Sequence, residues 1–298
     1  MFEDVRRNKM KTGFIVSLFI ILVTLIVYYI CIAFDFGSAS IVIAMAFSIL
    51  SAILTYYNCD KIVLASCKAR PATPEEDHKI IGILDALMIS SGVNYKPRLY
   101  VVEDPQPNAF ATGRNPEHSV ICVTTGLLEK LEYYELEGVI AHELAHIKNY
   151  DIRLSAVISV MVGFVVMITD WLSRSFLWRK LDDDNDNKSS GIMAIIGLLL
   201  MILAPIFAKL LQLAVSRRRE FLADATAVEF TRNPDGLISA LQKISTDPNE
   251  LKTASSATAH MYISEPFRKN ANKKSKAKNW FSTHPSTEDR IEALRNIK

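Results

Sequence analysis

Four cysteines in 298 residues are too few for a disulfide framework. Cys31, Cys59, Cys67 and Cys122 form no C-x-x-C pair, so reduced, buried thiols are expected rather than a thiolate metal site. Net charge is nearly absent as well. The 34 Lys and Arg residues against 32 Asp and Glu leave +2. That gives no basic excess for nucleic acid, which is excluded as an expected partner. Histidine is rare, at six residues, and the chain has no internal repeat and no low-complexity tract. Apolar side chains are what it has in plenty, at 50% of residues. The mean hydropathy of +0.17 is too high for an ordinary soluble enzyme and points to several membrane spans.

The apolar residues fall in runs. Residues 13–34 carry no charge over 22 positions, enough helix to cross about 30 Å of hydrocarbon. The run is too long for a cleaved signal peptide, and no small-x-small site follows it. A second uncharged run, 39–57, ends in Tyr56 and Tyr57 at the level of an interface. Residues 154–173 and 191–215 are two further apolar segments, the first marginal in length, with a hydrophilic loop at 174–190 between them. Arg6, Arg7, Lys9 and Lys11 precede the first run, Lys61, Lys68 and Arg70 follow the second, and Arg217, Arg218 and Arg219 follow the fourth. The turn between the first two carries no basic residue. Positive charge therefore places both ends of the chain on the cytoplasmic side of the cell membrane.

The soluble part is split between 58–153 and 216–298. Thr73-Pro74-Glu75-Glu76 opens a helix, and 98–102 and 119–124 are rich in β-formers. A helix over about 125–150, broken near 131–134, follows. Thr287 is the expected cap of the last helix. The expected fold is an α-helical membrane protein of four apolar helices carrying a mainly α, α+β soluble domain. A basic stretch at 268–278 reads as a solvated loop.

The chemistry centres on Ala141-His142-Glu143-Leu144-Ala145-His146. On a helix, His142 and His146 lie one turn apart on one face. Two such imidazoles grip one Zn²⁺ ion, and Glu143 sits within reach of a water on it, as general base. A catalytic zinc takes three protein ligands and leaves a fourth position open. A third histidine six residues after the motif is excluded, because Ile152 stands there. No histidine occurs between His146 and His260. Asp151, five residues past His146 on a continuing helix, is expected to point away. Elimination leaves Glu220 as third ligand. Asp224 shares its helix face and is expected to hydrogen-bond a ligand histidine. His260 reads as structural, since a fourth protein ligand would close the site.

Four motifs in this order, His142-Glu143-Leu144-Ala145-His146, Glu220-Phe221-Leu222-Ala223-Asp224, Asn108-Ala109-Phe110-Ala111-Thr112-Gly113 and Ser282-Thr283-His284-Pro285 with Arg290, resemble the HtpX family. These are membrane-bound heat-shock zinc proteases, similar to the CAAX prenyl endopeptidases. The resemblance covers essentially the whole chain. It implies one zinc per chain and a cytoplasm-facing endopeptidase that acts on unfolded or damaged membrane proteins in quality control. It also implies transition-state stabilisation by His284 or Arg290. Asn108, Ala109, Phe110 and Ala111 are expected to form a strand edge that pairs with extended substrate. A prenyl-protein processing protease and a non-catalytic zinc scaffold are the rival readings. Glu143 and the lack of a clear fourth ligand disfavour the scaffold.

Overall fold

Uncharged sequence dictates the first two elements. In this computed structural model, which describes residues 2–33, 36–180, 217–255, 257–266 and 285–297, helix α1 spans Phe2–Ala33 and α2 spans Ser40–Ser66. The turn between them contains Gly37, at φ 60°, a left-handed conformation that glycine adopts without a Cβ clash. Ala44, Ser48 and Ala52 form a buried stripe at i, i+4 on α2. Small residues let two helices approach closely in lipid, where burial of apolar surface gives no drive. The hydroxyls of Thr24 and Ser48 meet across that contact at 2.6 Å. Phe14, Ile21, Leu25, Val42 and Leu50 face outward. Ile15, Phe19, Leu22 and Val23 turn inward, onto Leu154, Val157, Ile158 and Met161 of a later helix, α6 (Asp151–Lys180).

Among the described residues, two helices are long and apolar enough to cross a membrane, within Met10–Tyr28 and Gly37–Ser66. The expectation of four is therefore met only in part. Helix α2 outruns its expected end at 57, and its last turns reach the soluble layer, where Asp60 accepts a 2.6 Å bond from Arg98. Helix α6 (Asp151–Lys180) is one unbroken helix of 30 residues. It therefore takes in the first residues of the loop expected at 174–190. The expected segment 191–215 and the basic stretch 268–278 lie outside the described residues.

Among the described residues the sheet has four strands, β1 (Arg70–Pro71), β2 (Arg98–Val102), β3 (Ala109–Gly113) and β4 (Ser119–Thr124). Their order is β1-β2-β4-β3. Strands β2 and β4 run parallel, and β3 pairs antiparallel with β4, Ala109 opposite Val123 and Ala111 opposite Ile121. This leaves β3 at an edge. Helix α3 (Pro74–Ser91) starts as its sequence predicts. Thr73 caps it, Glu76 returns a carboxylate to the Thr73 N–H, and the Arg70 guanidinium forks onto Glu76 at 2.7 and 2.8 Å. Its inward face is Ile80, Ile83, Leu84 and Leu87.

The predicted break near 131–134 separates α4 (Thr125–Lys130) from α5 (Tyr133–Lys148), which carries the motif. Helix α5 is buried on nearly every side. The sheet lies against one flank, and α7 (Arg217–Thr231) and α8 (Pro234–Thr246) against the other. Gly138 makes the α5–α8 crossing close: a Cβ there would stand 2.7 Å from the Leu237 backbone nitrogen. Helix α9 (Thr287–Arg295) packs on α7 and α8. Its cap is Ser286, which accepts from the Asp289 N–H, one residue before the Thr287 expected. Thr287 is the first residue of the helix.

Candidate active site

Helical spacing brings His142 and His146 onto one face of α5, with ring centroids 4.7 Å apart. Their Nε2 atoms converge to 3.2 Å. Glu220, in the first turn of α7, closes the group, its carboxylate 3.9 Å from His142 Nε2 and 3.7 Å from His146 Nε2. The three donors all lie within 4.8 Å of one another. Tetrahedral nitrogens bound to one metal at about 2.0–2.1 Å would stand ~3.3 Å apart, so the histidines are already spaced for a shared ion.

Each imidazole is turned by a carboxylate on its other nitrogen. Asp224, one turn past Glu220 on α7, lies 2.9 Å from His142 Nδ1. Asp151 lies 3.1 Å from His146 Nδ1. A carboxylate facing Nδ1 selects the tautomer with the proton there and leaves the Nε2 lone pair free. Two lone pairs aimed at one point repel unless a cation sits between them.

The electrostatics agree. Burial opposes charging of His146, but its hydrogen bond to Asp151 and the charges of Glu220, Asp151 and Glu143 outweigh that and lift it to about 9. Surroundings that attract a proton this strongly attract a metal cation by the same field. Burial holds His142 below its ordinary value, so its ring is neutral. Burial pushes the Glu143 carboxyl up to about 7. The charge of Glu220 adds to that rise, while His146, Arg290 and the Ala111 N–H oppose it. A carboxylate poised near neutrality can both take and return a proton.

The other expected site residues divide. Ala111 faces the site. Asn108 and Ala109 do not offer a free edge, because the chain's own segment covers them: Ile263 N–H donates to the Ala109 carbonyl at 2.9 Å, and the Asn108 amide donates to the Ser264 carbonyl at 3.0 Å. Phe110 packs edge-on against Tyr262. Arg290 is one of the two alternatives, with His284, expected to stabilise the transition state. Its guanidinium, 2% exposed, lies 3.5 Å from His142 Nδ1 and 3.9 Å from the Glu220 carboxylate. It clamps Asp224 through two bonds of 2.8 and 2.6 Å and donates to the Ile263 carbonyl at 2.9 Å. His284 lies outside the described residues.

Two residues enter that the sequence reading did not assign to the site. His260 lines the same small cavity as Glu143, His146 and Glu220, with Ala111 and Ser155. At about 30 Å³ this space has room for a water or two. Asp151 does not point away as expected. Helix α5 stops at Lys148, Tyr150 takes φ 60°, and α6 restarts at Asp151, which swings its carboxylate back to His146. The signal was present in Asn149, a residue that favours helix ends.

The model of peptidase family M48 matches residues 74–298. A protease HtpX homolog of Dictyoglomus thermophilum is 43% identical over 294 residues, covering 99% of this chain and 94% of its own. One of Caldanaerobacter subterraneus is 41% identical over 301 residues, covering 100% of this chain and 98% of its own. One of Listeria monocytogenes is 39% identical over the full length of both chains. The fold matches the crystal structure of S. mikatae Ste24p at a TM-score of 0.51 and 17% identity, across 96% of this chain and 64% of that longer one.

Proposed function

The chain belongs to peptidase family M48 and is a membrane-associated metalloendopeptidase, and from that premise we propose that it holds one zinc ion on His142, His146 and Glu220 and cuts unfolded or damaged membrane proteins at the cytoplasmic face. The convergence of two imidazole Nε2 atoms and the Glu220 carboxylate on one point carries this reading. Two nitrogens and one carboxylate suit zinc and leave a fourth position open. Bound there, the ion supplies Lewis acidity toward water and the scissile carbonyl.

The chain's own groups do the rest. Glu143 takes the proton of the attacking water as the C–O bond forms. It hands that proton to the departing amine as the C–N bond breaks. The Ala111 N–H, bonded to the Glu143 carboxylate, keeps the base aimed into the cavity. Asp224 and Asp151 hold the two rings with Nε2 inward. Arg290 acts through Asp224, as a positioning residue. His260 and Arg219, both on the cavity wall, are described side chains placed to meet charge developing on the substrate oxygen.

The orientation rests on basic residues at the start of α1 and the end of α2, with none in the turn between. The substrate class rests on distance. Leu154, buried against the membrane helices, is eight residues from His146, so segments leaving the bilayer reach the site.

Glu143→Gln tests the reading. The variant should retain one metal per chain while kcat on an unfolded substrate such as casein falls by about 10²–10⁴-fold. Retained proteolysis would sink the general-base role, and full metal content in Glu220→Ala would place the third ligand elsewhere. The same Glu143→Gln chain, expressed in cells, should trap substrates, whose identity checks the proposed class.

A further inference from the structure

The two histidines are braced differently. Behind His142 stands an ion pair of the soluble layer, Asp224 with Arg290. Behind His146 stands Asp151, and its other oxygen reaches the membrane anchor. Asn8 of α1 donates its amide to Asp151 Oδ1 at 2.7 Å, while Arg219 of α7 stands 3.6 Å from the same oxygen. The Asn8 amide also donates to the Asn149 carbonyl at 3.2 Å. Both acceptors lack protons, so the orientation of that amide is fixed: its NH₂ must face them.

Asn8 therefore spans the turn between α5 and α6, on either side of Tyr150 with its positive φ. That turn is what brings Asp151 back to His146. Asn8 lies in the polar start of α1 and is nevertheless 4% exposed. Its neighbour Met10 is 60% exposed. A polar side chain buried at that level, with both amide protons spent on one turn, has a definite task.

We propose that Asn8 is a positioning residue of the metal site: through Asp151 it fixes the orientation of His146, so the first membrane helix is a working part of the active site as well as an anchor. This rests on the reading of His146 as a ligand. When Asn8 is lost, Asp151 keeps its place in the chain but loses one of the groups that fix its carboxylate. His146 Nδ1 then hydrogen-bonds a looser partner, and Nε2 wanders from the point it shares with His142 and Glu220.

The test uses the full chain in lipid nanodiscs with Co²⁺, whose visible spectrum reports ligand geometry and whose affinity is read by competition with a chelator. Asp151→Asn should weaken Co²⁺ binding by about 10–100-fold, as for other partners of ligand histidines. Asn8→Leu should weaken it by a smaller factor, roughly 3–10-fold, shift the cobalt bands, and lower kcat on casein with KM unchanged. Asn8→Asp keeps the shape but sets a second carboxylate against Asp151, and should affect the spectrum more than Asn8→Leu does. In the Asp151→Asn background the Asn8→Leu effect should vanish, because the two act as one unit. Thr24→Val, on the same helix away from the site, should leave affinity and spectrum at wild-type values.

Wild-type Co²⁺ affinity and bands in folded Asn8→Leu would overturn the proposal, as would additive losses in the double variant. If Asn8→Leu does not insert or fold, Asn8→Asp carries the same decision. A wild-type chain that binds no Co²⁺ would instead overturn the metal-site reading itself.

Discussion

Asp224 carries a carboxylate clamped by the Arg290 guanidinium. It is 1% exposed, and burial alone would raise its carboxyl; Arg290 and His142 reverse that and hold it below the usual range. Arg290→Met would leave a buried carboxylate without its fork. Such a loss costs about 3–5 kcal/mol, because a charge is stranded. The thermal midpoint should fall clearly, and Asp224→Asn added to Arg290→Met should restore part of it. A purely catalytic Arg290, free to approach substrate, would leave the midpoint unchanged. The pH profile belongs to Glu143. Only the ionised carboxylate takes a proton from water, so activity is lost as pH falls through its pKa. Burial sets that value to about 7, and a neighbouring divalent cation lowers it. The acid limb of kcat/KM, followed from pH 5 to 8, should therefore have its midpoint at or below 7. A midpoint well above 7 would reject Glu143 as the base.

Helices α5 and α8 touch backbone to backbone. Two glycines make that possible: a Cβ on Gly138 would meet Leu237, and one on Gly236 would meet the Tyr134 carbonyl at 2.4 Å. Gly138→Ala should destabilise by about 1–3 kcal/mol through overpacking. Gly82 in α3 gives the opposite sign, since a Cβ there meets nothing within 4 Å. Gly82→Ala should stabilise by up to about 1 kcal/mol. Thermal midpoints of the two variants, moving in opposite directions, check the close crossing. The elements themselves were largely legible. Strands β2 and β4, the Thr73 cap and the break between α4 and α5 follow from local patterns that the surroundings do not override. The turn at Asn149-Tyr150 was missed, although Asn149 favours a helix end. A helix pattern extrapolated through it moved Asp151 to the wrong face. Glu220 was reachable by elimination, whereas Asn8 was not. No local signal links a polar residue at the start of a membrane helix to a motif more than 130 positions away.

At the scale of the molecule, the anchor and the catalytic layer are one packed body. The core formed by Ile15, Phe19, Ala52, Leu154 and Val157 runs from α1 and α2 into α6, which begins at the residue that holds His146. The proposed orientation follows from charge and can be read by labelling. All four native cysteines, Cys31, Cys59, Cys67 and Cys122, are buried, so the unmodified chain should react little with a membrane-impermeant maleimide. Ser38 lies exposed in the turn between α1 and α2, and Ile89, on the outside of α3, is 86% exposed. With both ends of the chain cytoplasmic, Ser38→Cys should label in intact cells. Ile89→Cys should label only after permeabilisation. Since α3 belongs to the same body as α5, the side on which Ile89→Cys reacts is the side on which the catalytic layer stands. Labelling of Ile89→Cys in intact cells would put that layer outside and remove the basis for a cytoplasmic substrate.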